Sequence, residues 1–139
     1  MDTQSESLTS EDLEAARRFR DLLSRRMDVS AVYWLRSDEE SSWYLNVAST
    51  DIGHAPSAGD YSKVLDAAEE ADDPNLNPAL VTLVGLDDPI ARGLIEFQKS
   101  HPAPLATRMR RRILNNRWIE DLYLYPPLQR SGESKAVVK

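Results

Sequence analysis

Near the end of the chain, the run Trp118-Ile119-Glu120-Asp121-Leu122-Tyr123-Leu124-Tyr125 is followed at once by Pro126-Pro127. Aromatic and branched residues at this density suit a pleated, half-buried surface. A proline pair ends a strand because it has no N–H to give to the ladder. A strand this apolar needs both a sheet to join and a layer to cover it. The stretch feeding it can be read in two ways. As a helix, Leu105, Met109 and Ile113 align at spacing four. As a strand, Leu105, Thr107, Met109 and Ile113 share one face, while Arg108, Arg110 and Arg112 share the other. Asn115-Asn116 decides the matter, because asparagine tolerates positive φ and two such residues can turn a hairpin. Thr107–Leu114 and Arg117–Tyr125 are therefore expected to form a hairpin. Its apolar face should be covered by the first helix, through Phe19 and Leu23, or by a second subunit. The last strand should lie near a sheet edge.

The rest of the chain supplies the other elements. Thr9-Ser10-Glu11-Asp12 resembles a capping box, with Leu8 and Leu13 placed to staple it. Leu13, Ala16, Phe19, Leu23 and Met27 then recur at three and four, giving a first helix with one apolar face. Ala31–Leu35 and Trp43–Ala48 are strands joined by a polar turn, with Trp34 and Trp43 expected to face each other across an antiparallel pair. Ser57 and Asp60 cap a second helix, whose inner face is Tyr61, Val64, Leu65 and Ala68. Its far end is acidic, through Asp66, Glu69, Glu70, Asp72 and Asp73. Leu80–Leu86 is almost wholly apolar, which predicts a strand buried on both faces and placed centrally in the sheet. Asp87-Asp88-Pro89 opens a third helix running to Ser100, with Ile90, Leu94 and Phe97 inward. Gly93 costs that helix about 1 kcal/mol unless something packs close to it. The prediction is an α+β fold in the order α-β-β-α-β-α-β-β: one mixed or antiparallel sheet of about five strands, with three helices. Residues 9–127 form the domain, and 1–8 and 128–139 are tails.

Composition narrows the function classes. The 139 residues include no cysteine. Disulfides, thiolate catalysis and cysteine-held metals are thereby excluded, and the composition is compatible with a reducing cytoplasm. No run approaches the roughly 20 apolar residues of a membrane helix, and the polar, acidic start does not read as a signal peptide. The formal charge of −6 argues against a general polyanion binder. That charge is unevenly spread. Arg108, Arg110, Arg111, Arg112 and Arg117 lie in a stretch without acids, which leaves −11 on the remainder. Such a cluster can be a partner or phosphate surface, with Trp118, Tyr123 or Tyr125 available for stacking. More often it is a solvated face neutralised by acids from elsewhere. Glu120 and Asp121 are adjacent, so in a regular strand they point to opposite faces and cannot act as a pair. One of them is expected to bridge Arg108 or Arg110 across the hairpin. His54 and His101 are the only histidines, both beside proline, and neither belongs to a recognisable metal set. No glycine-rich phosphate loop or nucleophile elbow is present, and no cofactor is expected.

Val32-Tyr33-Trp34-Leu35, Val81-Thr82-Leu83-Val84 before Asp87-Asp88-Pro89, Thr107-Arg108, and the closing run from Ile119 to Pro127 together resemble a group of small bacterial proteins of unknown function. The likeness spans Ala31 to Pro127. It implies a bacterial source and the final hairpin, and it carries no activity. Members of that group often have glycines where this chain has Asn115-Asn116, which leaves the turn type open. The leading expectation is a non-enzymatic protein-binding or assembly module of the cytoplasm that forms a salt-sensitive homodimer. The alternatives are a nucleic-acid-associated protein using Arg108–Arg112 and an enzyme with a cleft near His54.

Overall fold

The computed structural model describes residues 8–36, 38, 42–53, 55–101 and 105–127. It contains α1 (Ser10–Leu23), β1 (Ala31–Arg36), β2 (Tyr44–Ala48), α2 (Ala58–Ala71), β3 (Val81–Val84), α3 (Pro89–Ser100), β4 (Thr107–Leu114) and β5 (Arg117–Leu124). This is the expected α+β order. The expected tails and His54 lie outside the described residues, apart from Leu8.

Each helix begins where its side chains can satisfy the free N–H groups of the first turn. Thr9 and Asp12 form a reciprocal capping box on α1, and Ser57 and Asp60 form another on α2. Asp88 caps α3 by accepting from the Ala91 N–H, and Pro89 takes the first turn. Leu8 and Leu13 both pack against the core, as a staple requires.

The five strands form one mixed sheet in the order β3-β2-β1-β5-β4. β2 and β3 run parallel, and every other neighbouring pair is antiparallel. Two sequence expectations are corrected here. β3 is an edge strand, not a central one. It is apolar because helices cover the sheet on both sides, so an edge strand also needs two apolar faces. β5 is interior, between β1 and β4, and the arginine strand β4 is the opposite edge.

α1 and α2 pack on one face with Val32, Trp34, Leu45, Val47, Val81, Leu83 and Tyr125. α3 packs on the other with Ala31, Tyr33, Met109, Ile119, Leu122 and Leu124. Trp34 stands opposite Leu45, so Trp34 and Trp43 are diagonal neighbours in one cluster. Met109 is covered by α3 rather than by Phe19 and Leu23 of α1, and Leu105 and Ile113 are exposed. Gly93 has the close neighbour its place in α3 called for: a Cβ there would lie 2.9 Å from Cγ of Leu114.

The hairpin turn is Asn115-Asn116, with φ of 51° and 71°. Both central residues at positive φ make it a turn of the primed type that matches strand twist. The Asn115 amide also donates to the Pro89 carbonyl at 2.8 Å, tying the turn to the start of α3.

Candidate functional site

The arginine-rich stretch is a strand, and its outer side has no neighbouring strand in the sheet. Its chemistry depends on a break in its own alternation. In a regular strand, residues three or five apart point to opposite faces. Here Ile119 and Leu122 both join the cluster under α3, as do Met109 and Leu114. The phase therefore slips by one residue on both strands between these pairs. Arg111 lies at the slip with φ 49°, in the left-handed region that a side chain adopts at a cost.

The slip overturns the expectation for the two acids. Glu120 and Asp121 both line one open concavity of about 660 Å³, together with Arg36, Arg110 and Arg111. Asp121 is its most constrained member. Arg108 donates to it twice, Nε to Oδ1 at 2.7 Å and an Nη to Oδ2 at 2.9 Å. Arg110 Nε approaches Oδ2 at 3.5 Å, and the Leu122 N–H donates to Oδ1. In register, Asp121 stands between Arg110 of β4 and Arg36 of β1. Burial raises the affinity of this carboxyl for a proton. The hydrogen bond from Arg108 and the charges of Arg108 and Arg110 outweigh that, so it stays below the ordinary carboxylate range. The same hydrogen bond raises the Arg108 guanidinium above its usual value. Arg108 also lies over the Trp43 ring, 5.6 Å from its centroid. Arg111 donates to Glu120 at 3.4 Å, a long contact.

The cluster is thus neutralised in part by the hairpin's own strand: of the two acids, one of which was expected to bridge Arg108 or Arg110, it is Asp121 that does so. The side chains of Arg112 and Arg117 make no hydrogen bond or ion pair with the described residues, and both stand opposite residues of the α3 side, Ile119 and Leu114. Ile113 and Trp118 are cross-strand partners at the tip, 65% and 51% exposed. Leu114, beside Ile113, and Ile119, beside Trp118, point towards α3. Ile113 and Trp118 therefore lie on the side of the sheet that carries α1 and α2. On that side, only Tyr123 and Tyr125 of the hairpin reach the helical layer, so among the described residues no helix covers the sheet from Asp121 to the tip.

Sequence reasoning did not find Arg36 or the role of Trp43. Both reach the site through strand order, which no local pattern encodes. Tyr125 is not available for stacking: it is buried, and its hydroxyl accepts from Trp34 Nε1 and donates to the Leu13 carbonyl. Tyr123 is partly buried beside it, with the two rings edge to face. His101 stacks on Phe97 at the end of α3 and takes no part in the concavity. No helix among the described residues is long and apolar enough to cross a membrane. No protein-family model matches the chain, nor does any curated protein or solved structure.

Proposed function

We propose that the chain is a non-enzymatic protein-binding or assembly module of the bacterial cytoplasm, and that its contact surface is the uncovered face of the β4–β5 hairpin. One observation carries this reading. Ile113 and Trp118 form an exposed apolar pair beside a concavity lined by arginines, on a sheet face that the molecule's own helices leave open. An exposed aromatic with arginine neighbours is the composition of a protein contact centre. The outer backbone groups of β4 are a second reason to expect a polypeptide, since an unpaired sheet edge can accept a strand.

Trp118 among arginines also favours a second reading, binding to single-stranded nucleic acid by stacking. Two features count against it. Asp121 and Glu120 already hold Arg108 and Arg111. The remaining −11 would repel a long polyanion.

The test is retention from a lysate of the source organism on the full chain and on an Ile113→Ser/Trp118→Ala variant, with and without nuclease. The expected result is a protein retained by the unaltered chain, lost from the variant and indifferent to nuclease. Equal retention by both chains would remove the hairpin face as the surface. Recovery of nucleic acid that salt releases would establish the second reading. Both substitutions are at exposed positions, where stability changes little.

A further inference from the structure

The open sheet face has a complement on the same molecule. Leu65, expected on the inner face of α2, is instead 57% accessible, with Asp66 and Glu69 on the same turn of helix. Asp66 and Glu69 make no ion pair with the described residues, and Glu70 beside them is held by Arg26 at 2.9 Å. The helix therefore presents an apolar centre flanked by two free carboxylates. The open side of the hairpin presents an apolar centre beside Arg108, Arg110 and Arg111, which face Glu120 and Asp121, and Arg36 of β1 adds to it. Arg112 and Arg117, opposite Ile119 and Leu114, belong to the α3 side.

These surfaces cannot meet within one molecule. α2 lies over the β3 side of the sheet, where the Tyr61 hydroxyl accepts from the Leu83 N–H. The hairpin tip belongs to β4, four strands away. At the usual strand spacing that is roughly 19 Å. We propose that the outer face of α2 from one copy of this chain docks on the open β4–β5 face of another, beside α1, and completes the helical layer there. This rests on the hairpin face being a protein contact, and it names the partner.

Charge decides between this arrangement and pairing of two β4 edges. Two copies of β4 side by side would oppose Arg108, Arg110 and Arg112 with the same residues, and like charges across strands repel. The left-handed Arg111 also interrupts the edge that such pairing needs. A helix bearing acids meets neither obstacle. The contact is heterologous, hairpin to helix, so it propagates into a ring or chain of copies unless its rotation closes at two. The patches are small, which puts the contact in the weak class, below ~1,200 Å².

Sedimentation of the full chain from about 10 to about 500 µM in low salt should show reversible association, lost when salt shortens the Debye length to a few ångström. Arg110→Glu/Arg111→Glu on the open hairpin face and Asp66→Lys/Glu69→Lys should each be monomeric alone over that range. Mixed together they should associate again, since both contacts then join opposite signs. A wild-type chain that stays monomeric throughout overturns the proposal. So does association that survives both charge reversals, or a mixture that stays monomeric. A monomer that still retains a protein through Ile113 and Trp118 overturns self-assembly alone. Loss of both removes the hairpin face altogether.

Discussion

Asp121 shows how one side chain sets the chemistry of this surface. It is nearly buried, and a buried carboxylate left alone would be costly. The paired hydrogen bonds from Arg108 make the charged form the stable one in the folded chain. In the unfolded chain the group returns to its ordinary value, so the folded pKa is the lower of the two. Stability from this pair is fully present above the unfolded value and is lost as pH falls through the folded one. Asp121→Asn should therefore destabilise the protein by about 1.5–3 kcal/mol at pH 7, the range for hydrogen bonds to charged groups. Urea melts of both chains at stepwise lower pH should show that difference shrinking in acid, where the wild-type carboxyl is itself neutral. A difference that holds constant down to the most acidic melt would mean that the ion pair contributes nothing.

Between the hairpin and α3, two glycine-related choices can be separated by substitution. Asn116 has φ 71° and Asn115 has φ 51°, conformations that glycine adopts freely. Asn116→Gly should stabilise by up to about 1 kcal/mol, by relieving the left-handed backbone. Asn115→Gly should gain less or lose, because it gives up the hydrogen bond to Pro89. Gly93→Ala sets a gain in helix propensity of about 1 kcal/mol against the Leu114 side chain. The gain should appear in full only in a Leu114→Ala background, which thermal melts of the four chains in a double-mutant cycle would reveal.

The same elements mark where the sequence was legible. The caps at Thr9, Ser57 and Asp88 announce their helices because capping is a local hydrogen-bond problem. The Asn-Asn turn announces the hairpin for the same reason. Strand order is different: Leu80–Leu86 reads as central because local hydrophobicity reports covered faces, not neighbours. The slip at Arg111 left no mark either, since neither a glycine nor an asparagine stands there. The joint lining of the concavity by Glu120 and Asp121 was unreadable without it.

At the scale of the whole molecule, the chain that begins at the arginine hairpin ends by fastening all three layers through Tyr125. Its N–H donates to Val32 in β1, and its hydroxyl accepts from Trp34 and donates to Leu13 in α1. Its carbonyl accepts from Gln98 in α3. Arg20 lies over its ring at 5.6 Å and donates to the Pro126 carbonyl. Tyr125→Phe keeps the packing but leaves the buried Trp34 N–H without that acceptor, so a loss of about 1–3 kcal/mol is expected. Burial raises the hydroxyl pKa of Tyr125, and more strongly that of Tyr33, above the ordinary tyrosine value. Below about pH 10 both states hold these protons, and the full stability is present. Above it the unfolded chain releases them first, so it binds fewer protons than the folded chain and stability falls as pH rises. Alkaline unfolding should thus begin above about pH 10. Its pH slope should be shallower in Tyr33→Phe, which lacks one titrating group, and in Tyr125→Phe, even though the latter starts from a lower stability. Denaturant melts between pH 8 and 11.5 give the slopes, and three equal slopes would exclude the tyrosines as the cause.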